Sequence, residues 1–132
     1  MKRSLLAVIM LCPIFSVAQM STTISTVEFV KVSKDKINEA TYFYENNWKV
    51  FREAAIRQSI IVSYRILSLE DSSTGFNVVL ITDYKDSLQL VKSESSFQKL
   101  IKEIRPKGPL LLNDAKPNEF RKSVYTVKGK SF

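Results

Sequence analysis

The chain has 132 residues, 45% of them hydrophobic and 25% charged, with only 3 Gly and 4 Pro. That is the composition of one globular domain, neither disordered nor fibrous. It carries 20 Lys and Arg against 13 Asp and Glu, no histidine and a single cysteine, Cys12, so Ser-His-Asp and Cys-His catalysis are excluded. A zinc site would need carboxylates and water alone, and no close cluster of Asp or Glu suggests one, so no metal is expected.

Residues 1 to 19 begin with Lys2 and Arg3, continue through the apolar run Leu5 to Phe15, and reach Ser16-Val17-Ala18 before Gln19. A basic start, a short apolar centre and small residues at the minus three and minus one positions describe a secretory signal peptide cleaved after Ala18. The run is shorter than the roughly 20 residues that span a bilayer, and Pro13 interrupts it. Met10 and Leu11 stand where small residues should precede an acylated cysteine, which counts against Cys12 as a lipid anchor. Residues 20 to 132 are therefore expected as one exported domain, periplasmic or extracellular, with no cysteine and no transmembrane span.

Val27 to Val32 is β-branched and aromatic and predicts a strand. Ser33 and Asp35 offer caps for a helix from Lys36 to about Ile60, which has no Gly or Pro. Its apolar face carries Ile37, Ala40, Tyr44, Trp48, Phe51 and Ala55. Asp35, Glu39, Lys49, Glu53 and Arg57 fall on the other side. Ile61 to Leu69 and Phe76 to Tyr84, separated by the turn cluster Asp71 to Gly75, read as a hairpin apolar on both faces. Leu88, Val91, Phe97, Leu100, Ile101 and Ile104 give a second helix over Lys85 to Ile104, weak at Ser93 to Ser96 and ended by Arg105-Pro106-Lys107-Gly108-Pro109. Phe120 to Val127 closes the chain as a last strand. Strand, helix, strand, strand, helix, strand is the α+β, ferredoxin-like βαββαβ arrangement, a four-stranded antiparallel sheet with two helices on one face. The hairpin leaves the bare sheet face apolar, and a second copy of the sheet is its simplest cover, which predicts a homodimer through the sheet faces.

That pattern, with Tyr44-Glu45-Asn46-Asn47-Trp48-Lys49 in the first helix, Ile60 to Ile66 after it and Phe76 to Tyr84 in the hairpin, resembles the dimeric α/β-barrel superfamily. It looks most like that superfamily's secreted, uncharacterised bacterial members. The resemblance implies two sheets packed face to face into a barrel, with a small-ligand site between each protomer's helices and sheet. The haem-binding branches use a histidine this chain lacks, and no cofactor is expected. The superfamily's cofactor-independent monooxygenases use Asn, Trp, Tyr and Arg; Asn47, Trp48, Tyr64 and Arg65 are of those types without matching position by position.

Tyr44 and Trp48, four residues apart with polar tips on an apolar face, are candidates to line a ligand pocket, with Tyr64, Tyr84 or Phe97 opposite; core packing is the competing role. Glu45 and Lys49 read as a solvated pair. The excess positive charge lies in the last third, where Lys99, Lys102, Arg105, Lys107, Lys116, Arg121, Lys122, Lys128 and Lys130 face only Glu103, Asp114 and Glu119; it suits either a soluble surface or an anionic partner. Gly75-Phe76 lacks the flanking basic and aromatic residues of an RNA-binding strand, so no nucleic acid is expected. Two function classes stay open. The preferred one is an exported module binding a small apolar molecule or a partner protein, since no acid–base pair is visible. The alternative is a cofactor-independent monooxygenase or isomerase acting on an aromatic or polyketide-like substrate.

Overall fold

The computed structural model describes residues 22–70 and 73–131; the expected signal peptide lies outside them. Strand β1 (Ile24–Val32) is followed by a 3-10 turn (Lys34–Lys36), helix α1 (Ile37–Phe43), a π-helical turn (Tyr44–Trp48) and helix α2 (Lys49–Arg57). Strands β2 (Ser63–Ser68) and β3 (Val78–Tyr84) form the hairpin, and helix α3 (Ser87–Ile104), the short helix α4 (Pro117–Phe120) and strand β4 (Arg121–Lys130) complete the order. The sheet runs β2-β3-β1-β4 with every neighbouring pair antiparallel. This is the ferredoxin-like α+β fold, with β1 and β3 central and β2 and β4 at the edges.

Register assigns the faces, because residues alternate across a strand. Val30 and Val32 are buried against Ala40, Tyr44, Trp48 and Phe120, so the even-numbered residues of β1 look toward the helices. Their partners follow: Val78, Leu80, Thr82 and Tyr84 from β3, then Thr126 and Lys128 from β4 opposite Glu28 and Thr26. Among the described residues the other face bears no helix. There Phe29 packs against Phe76 (centroids 4.7 Å apart) and Tyr125 (4.4 Å), and Leu67, Tyr125 and Val127 are exposed. Polar groups share that face more than the sequence pattern implied. Asp83 accepts from the hydroxyls of Ser25 and Ser63, both at 2.5 Å, and Arg65 stands 3.8 Å away.

The predicted helix over Lys36 to Ile60 is broken in character rather than in course. At Tyr44–Trp48 it widens into a π turn, and the carbonyls this leaves at the preceding turn are taken by side chains. Asn46 Nδ2 donates to the Tyr42 carbonyl at 2.9 Å, and Asn47 Nδ2 to that of Phe43 at 3.3 Å. Ile37 is 46% exposed and Glu39 only 7%, the reverse of the expected faces. Glu39 instead accepts from Asn113 Nδ2 at 3.1 Å and lies 3.7 Å from Lys36 Nζ. Leu88 and Val91, expected inward on the second helix, are exposed, and Ser93 is buried in their place. Its hydroxyl donates to the Leu90 carbonyl at 2.7 Å, so the Ser93 to Ser96 stretch stays helical. Asp86 caps that helix by accepting from the Gln89 amide at 2.8 Å.

Candidate functional site

The four candidate aromatics do not converge on one space. Tyr44 is buried beneath the π turn and lines a cavity of about 340 Å³ with Val32, Ala40, Ile66 and Val78. Its hydroxyl has no hydrogen-bond partner among the described residues. Burial raises its pKa, opposed by the Arg121 guanidinium, which lies 5.9 Å from the ring. Arg121 itself donates to Glu28 Oε1 at 2.7 Å. Trp48 and Tyr64 meet edge to face with centroids 5.4 Å apart and join the two halves of the core. The Tyr64 hydroxyl donates to Glu53 Oε1 at 3.2 Å, and its pKa is raised by burial and by that carboxylate. Tyr84, at the end of β3, lines a different and larger cavity of about 570 Å³, bounded by α3 and by Lys128 of β4. Phe97 lines it as well.

Arg52 looks into this larger cavity. It stands one helical step beyond Trp48, and its guanidinium carbon lies 4.2 Å from the Trp48 ring centroid and 4.7 Å from that of Phe97. Such cation–π contacts are worth more once desolvated. Its Nε is buried with no hydrogen-bond partner, and no carboxylate among the described residues comes within ion-pair distance, Glu28 being bonded to Arg121. Burial is the main reason that its pKa falls from 12.5 to about 10; it remains a cation at neutral pH. The walls beside it are apolar, from Leu90, Phe97 and Ile101, while Lys128 and Gln98 supply polar tips. The helix-facing positions of β1 and β4 continue the polar character through Thr26, Glu28 and Thr126. Since β4 is exposed along almost its whole length, this side of the interlayer space is open to solvent.

Arg52 was absent from the sequence candidates. The signal for it was its spacing: Tyr44, Trp48 and Arg52 recur every four residues, so a cation continues an aromatic stripe. Asn47 was named only by residue type, yet it is completely buried. Its amide donates to the Leu110 carbonyl at 2.8 Å and accepts from the Leu110 amide at 2.8 Å, standing in for a peptide group. With Arg105 Nη2 donating to the Asn46 carbonyl at 3.0 Å, it ties the segment after α3 to the π turn. Arg65 faces away from Tyr64, as consecutive strand residues must, and so does not join Asn47 and Trp48. Among the described residues no group of His, Cys, Asp and Glu is placed to hold a metal ion, and no helix is long and apolar enough to cross a membrane.

No family model matches the chain, and no curated protein matches it in sequence. Solved structures do. HapK from Hahella chejuensis superposes with a TM-score of 0.57 at 8% identity, over 83% of this chain and 92% of that one. A dimeric protein of unknown function and ferredoxin-like fold from Bacteroides fragilis gives 0.49 at 13% identity, over 84% and 95%. An uncharacterised NIPSNAP-like domain protein from Burkholderia xenovorans gives 0.49 at 10%, over 85% and 84%. At these identities the likeness is one of fold, and function rests on the site itself.

Proposed function

We propose that this is an exported, homodimeric protein that binds a small molecule between its helices and sheet. The observation that carries the reading is the open cavity of about 570 Å³ between α3, the end of β3 and β4, where Tyr84, Leu90, Val91, Phe97 and Ile101 share the lining with as many polar residues. Ligand sites have this size. A general base and acid paired across the cavity would favour the enzymatic alternative; Glu94 is the single carboxylate of the lining, and the Ser93 hydroxyl is engaged with the Leu90 carbonyl.

The dimer reading rests on the bare sheet face, which carries the Phe29–Phe76–Tyr125 ring cluster and the exposed Leu67 and Val127. A second copy meeting this face about a two-fold axis covers the same patch on both partners. Export rests on the tripartite start of the chain. Protein recovered from the cell envelope or medium is expected to have the mass of a chain beginning at Gln19; a full-length cytosolic product refutes export.

The pocket is tested by a fragment screen using saturation-transfer NMR on the wild type and on Val91→Trp. Val91 is 75% exposed at the cavity rim, so an indole there plugs the mouth without disturbing the core. Fragments that bind the wild type and are lost from the variant support the reading. A screen without binders, or binders indifferent to the plug, overturns it.

A further inference from the structure

The residue in this pocket that the fold does not explain is Arg52. Arg52 is half-buried, with its Nε closed off, and an arginine so placed ordinarily has a carboxylate or carbonyl beside it, because leaving a partly desolvated charge uncompensated is costly. The other two arginines with buried Nε atoms in the interlayer region obey that rule in part: Arg121 bonds Glu28, and Arg105 bonds the carbonyls of Asn46 and Ile104. Among the described residues Arg52 makes no hydrogen bond and no ion pair. Its partners are the faces of Trp48 and Phe97, which fix the plane of the guanidinium, close off its Nε and leave its terminal nitrogens to meet the cavity. The one other cation in the lining is Lys128, and the one acid is Glu94, so an empty pocket holds net positive charge within apolar walls.

From this we infer that the pocket is built for an organic acid: a single carboxylate received on the two terminal nitrogens of Arg52, carried by an aromatic or apolar body that lies along Leu90, Phe97 and Ile101. The planar fork of a guanidinium matches a carboxylate in two parallel hydrogen bonds. Two cations set against one carboxylate suit a monoanion rather than a polyphosphate. Lys128, on an exposed strand at the rim, adds attraction at the entrance. A neutral molecule of the same shape fills the apolar walls but leaves Arg52 uncompensated, so charge decides the selectivity. The inference rests on the pocket reading proposed above and goes beyond it by naming the ligand class.

The test is isothermal titration of the purified protein with 2-naphthoate and with its neutral counterpart 2-naphthalenemethanol, on the wild type, Arg52→Gln and Lys128→Gln. The wild type is expected to bind naphthoate at least tenfold more tightly than the alcohol. Arg52→Gln is expected to lose that preference while binding the alcohol within twofold of the wild type. Lys128→Gln, whose side chain bears on no packed core, is expected to weaken naphthoate severalfold and leave the alcohol unchanged, which keeps the idea testable should Arg52→Gln fold poorly. Equal binding of the two probes by the wild type, or a preference that survives Arg52→Gln, overturns the organic-acid inference while the pocket reading stands. Binding of neither probe overturns the inference as well, and the fragment screen then decides whether the pocket reading falls with it.

Discussion

Replacing Asn47 by Ala removes the group that joins the segment after α3 to the π turn, and its cost follows from the hydrogen bonds. Asn47 is fully buried and its side chain makes three of them: two at 2.8 Å with the Leu110 backbone and one at 3.3 Å with the Phe43 carbonyl. Each lost bond is worth about 0.5–1.5 kcal/mol, and more where a partner is left buried and unsatisfied. Two good bonds and a weak one therefore amount to roughly 2–4 kcal/mol. In a domain of this size that lowers Tm by about 10–20 °C. Asn47→Asp separates the two halves of the interaction. It keeps an acceptor for the Leu110 amide, loses the donor to both carbonyls, and buries a charge, so it should cost at least as much as Ala. Thermal and urea unfolding monitored by circular dichroism measures both variants. Hydrogen exchange should also quicken at Leu110, whose amide loses its acceptor in Asn47→Ala. An Asn47→Ala protein as stable as the wild type refutes the clamp.

Trp48→Ala removes a side chain that is 6% exposed and packs on Tyr64 and Arg52; a loss of about 3–5 kcal/mol is expected by the large-to-small rule, read from chemical denaturation, and a variant within 1 kcal/mol of the wild type contradicts its core placement. Tyr125→Lys places a charge at a position 46% exposed in the protomer, so the fold should survive while the dimer dissociates. Light scattering should give twice the protomer mass for the wild type and a folded monomer for the variant; a wild type that stays monomeric at micromolar concentration contradicts the sheet-face pairing. Glu39 is held below its ordinary value of 4.5 first by the Asn113 amide, with Lys36 adding to it. Its folded pKa being lowered, the stability it contributes is present above about pH 4.5 and is lost as pH falls through the folded value. Unfolding curves of wild type and Glu39→Gln should therefore differ at pH 6 and converge as the pH falls through the folded value, whereas a gap that widens in acid reverses the sign.

Much of the fold was legible because its determinants are local. The apolar stripe from Ala40 to Ala55 marks the first helical layer, the alternation in Val27 to Val32 marks β1, and the turn cluster before Phe76 marks the hairpin. The π turn was not legible: its signature is the fate of the carbonyls of Tyr42 and Phe43, and two adjacent asparagines do not announce which backbone groups they will reach. Nor was the exchange of faces at Ile37 and Glu39 legible, because Glu39 is held inward by Asn113, which only the tertiary fold brings to it. In the site, the aromatics were legible as buried residues but not as members of separate cavities, because Tyr44 sits in the helical layer and Tyr84 at the end of β3, and a pattern along one helix carries no information about where a strand residue lies. Arg52 was hidden by habit of reading: a cation at the edge of an apolar stripe is ordinarily solvated, its long stem reaching water. Here Phe97, brought over by α3, closes above it, and only the tertiary fold supplies that ring.

The most direct measurement is the pair of Arg52 Nη–H resonances, assigned by comparison with Arg52→Gln and followed by ¹⁵N NMR at low temperature as 2-naphthoate is added. In the free protein these protons have no acceptor among the described residues, so they should move downfield on titration, exchange more slowly with water, and saturate along the same curve as the heat of binding. Resonances that stay in place at saturating naphthoate, while the ligand is demonstrably bound, would show that Arg52 is a structural cation and that the pocket does not read charge.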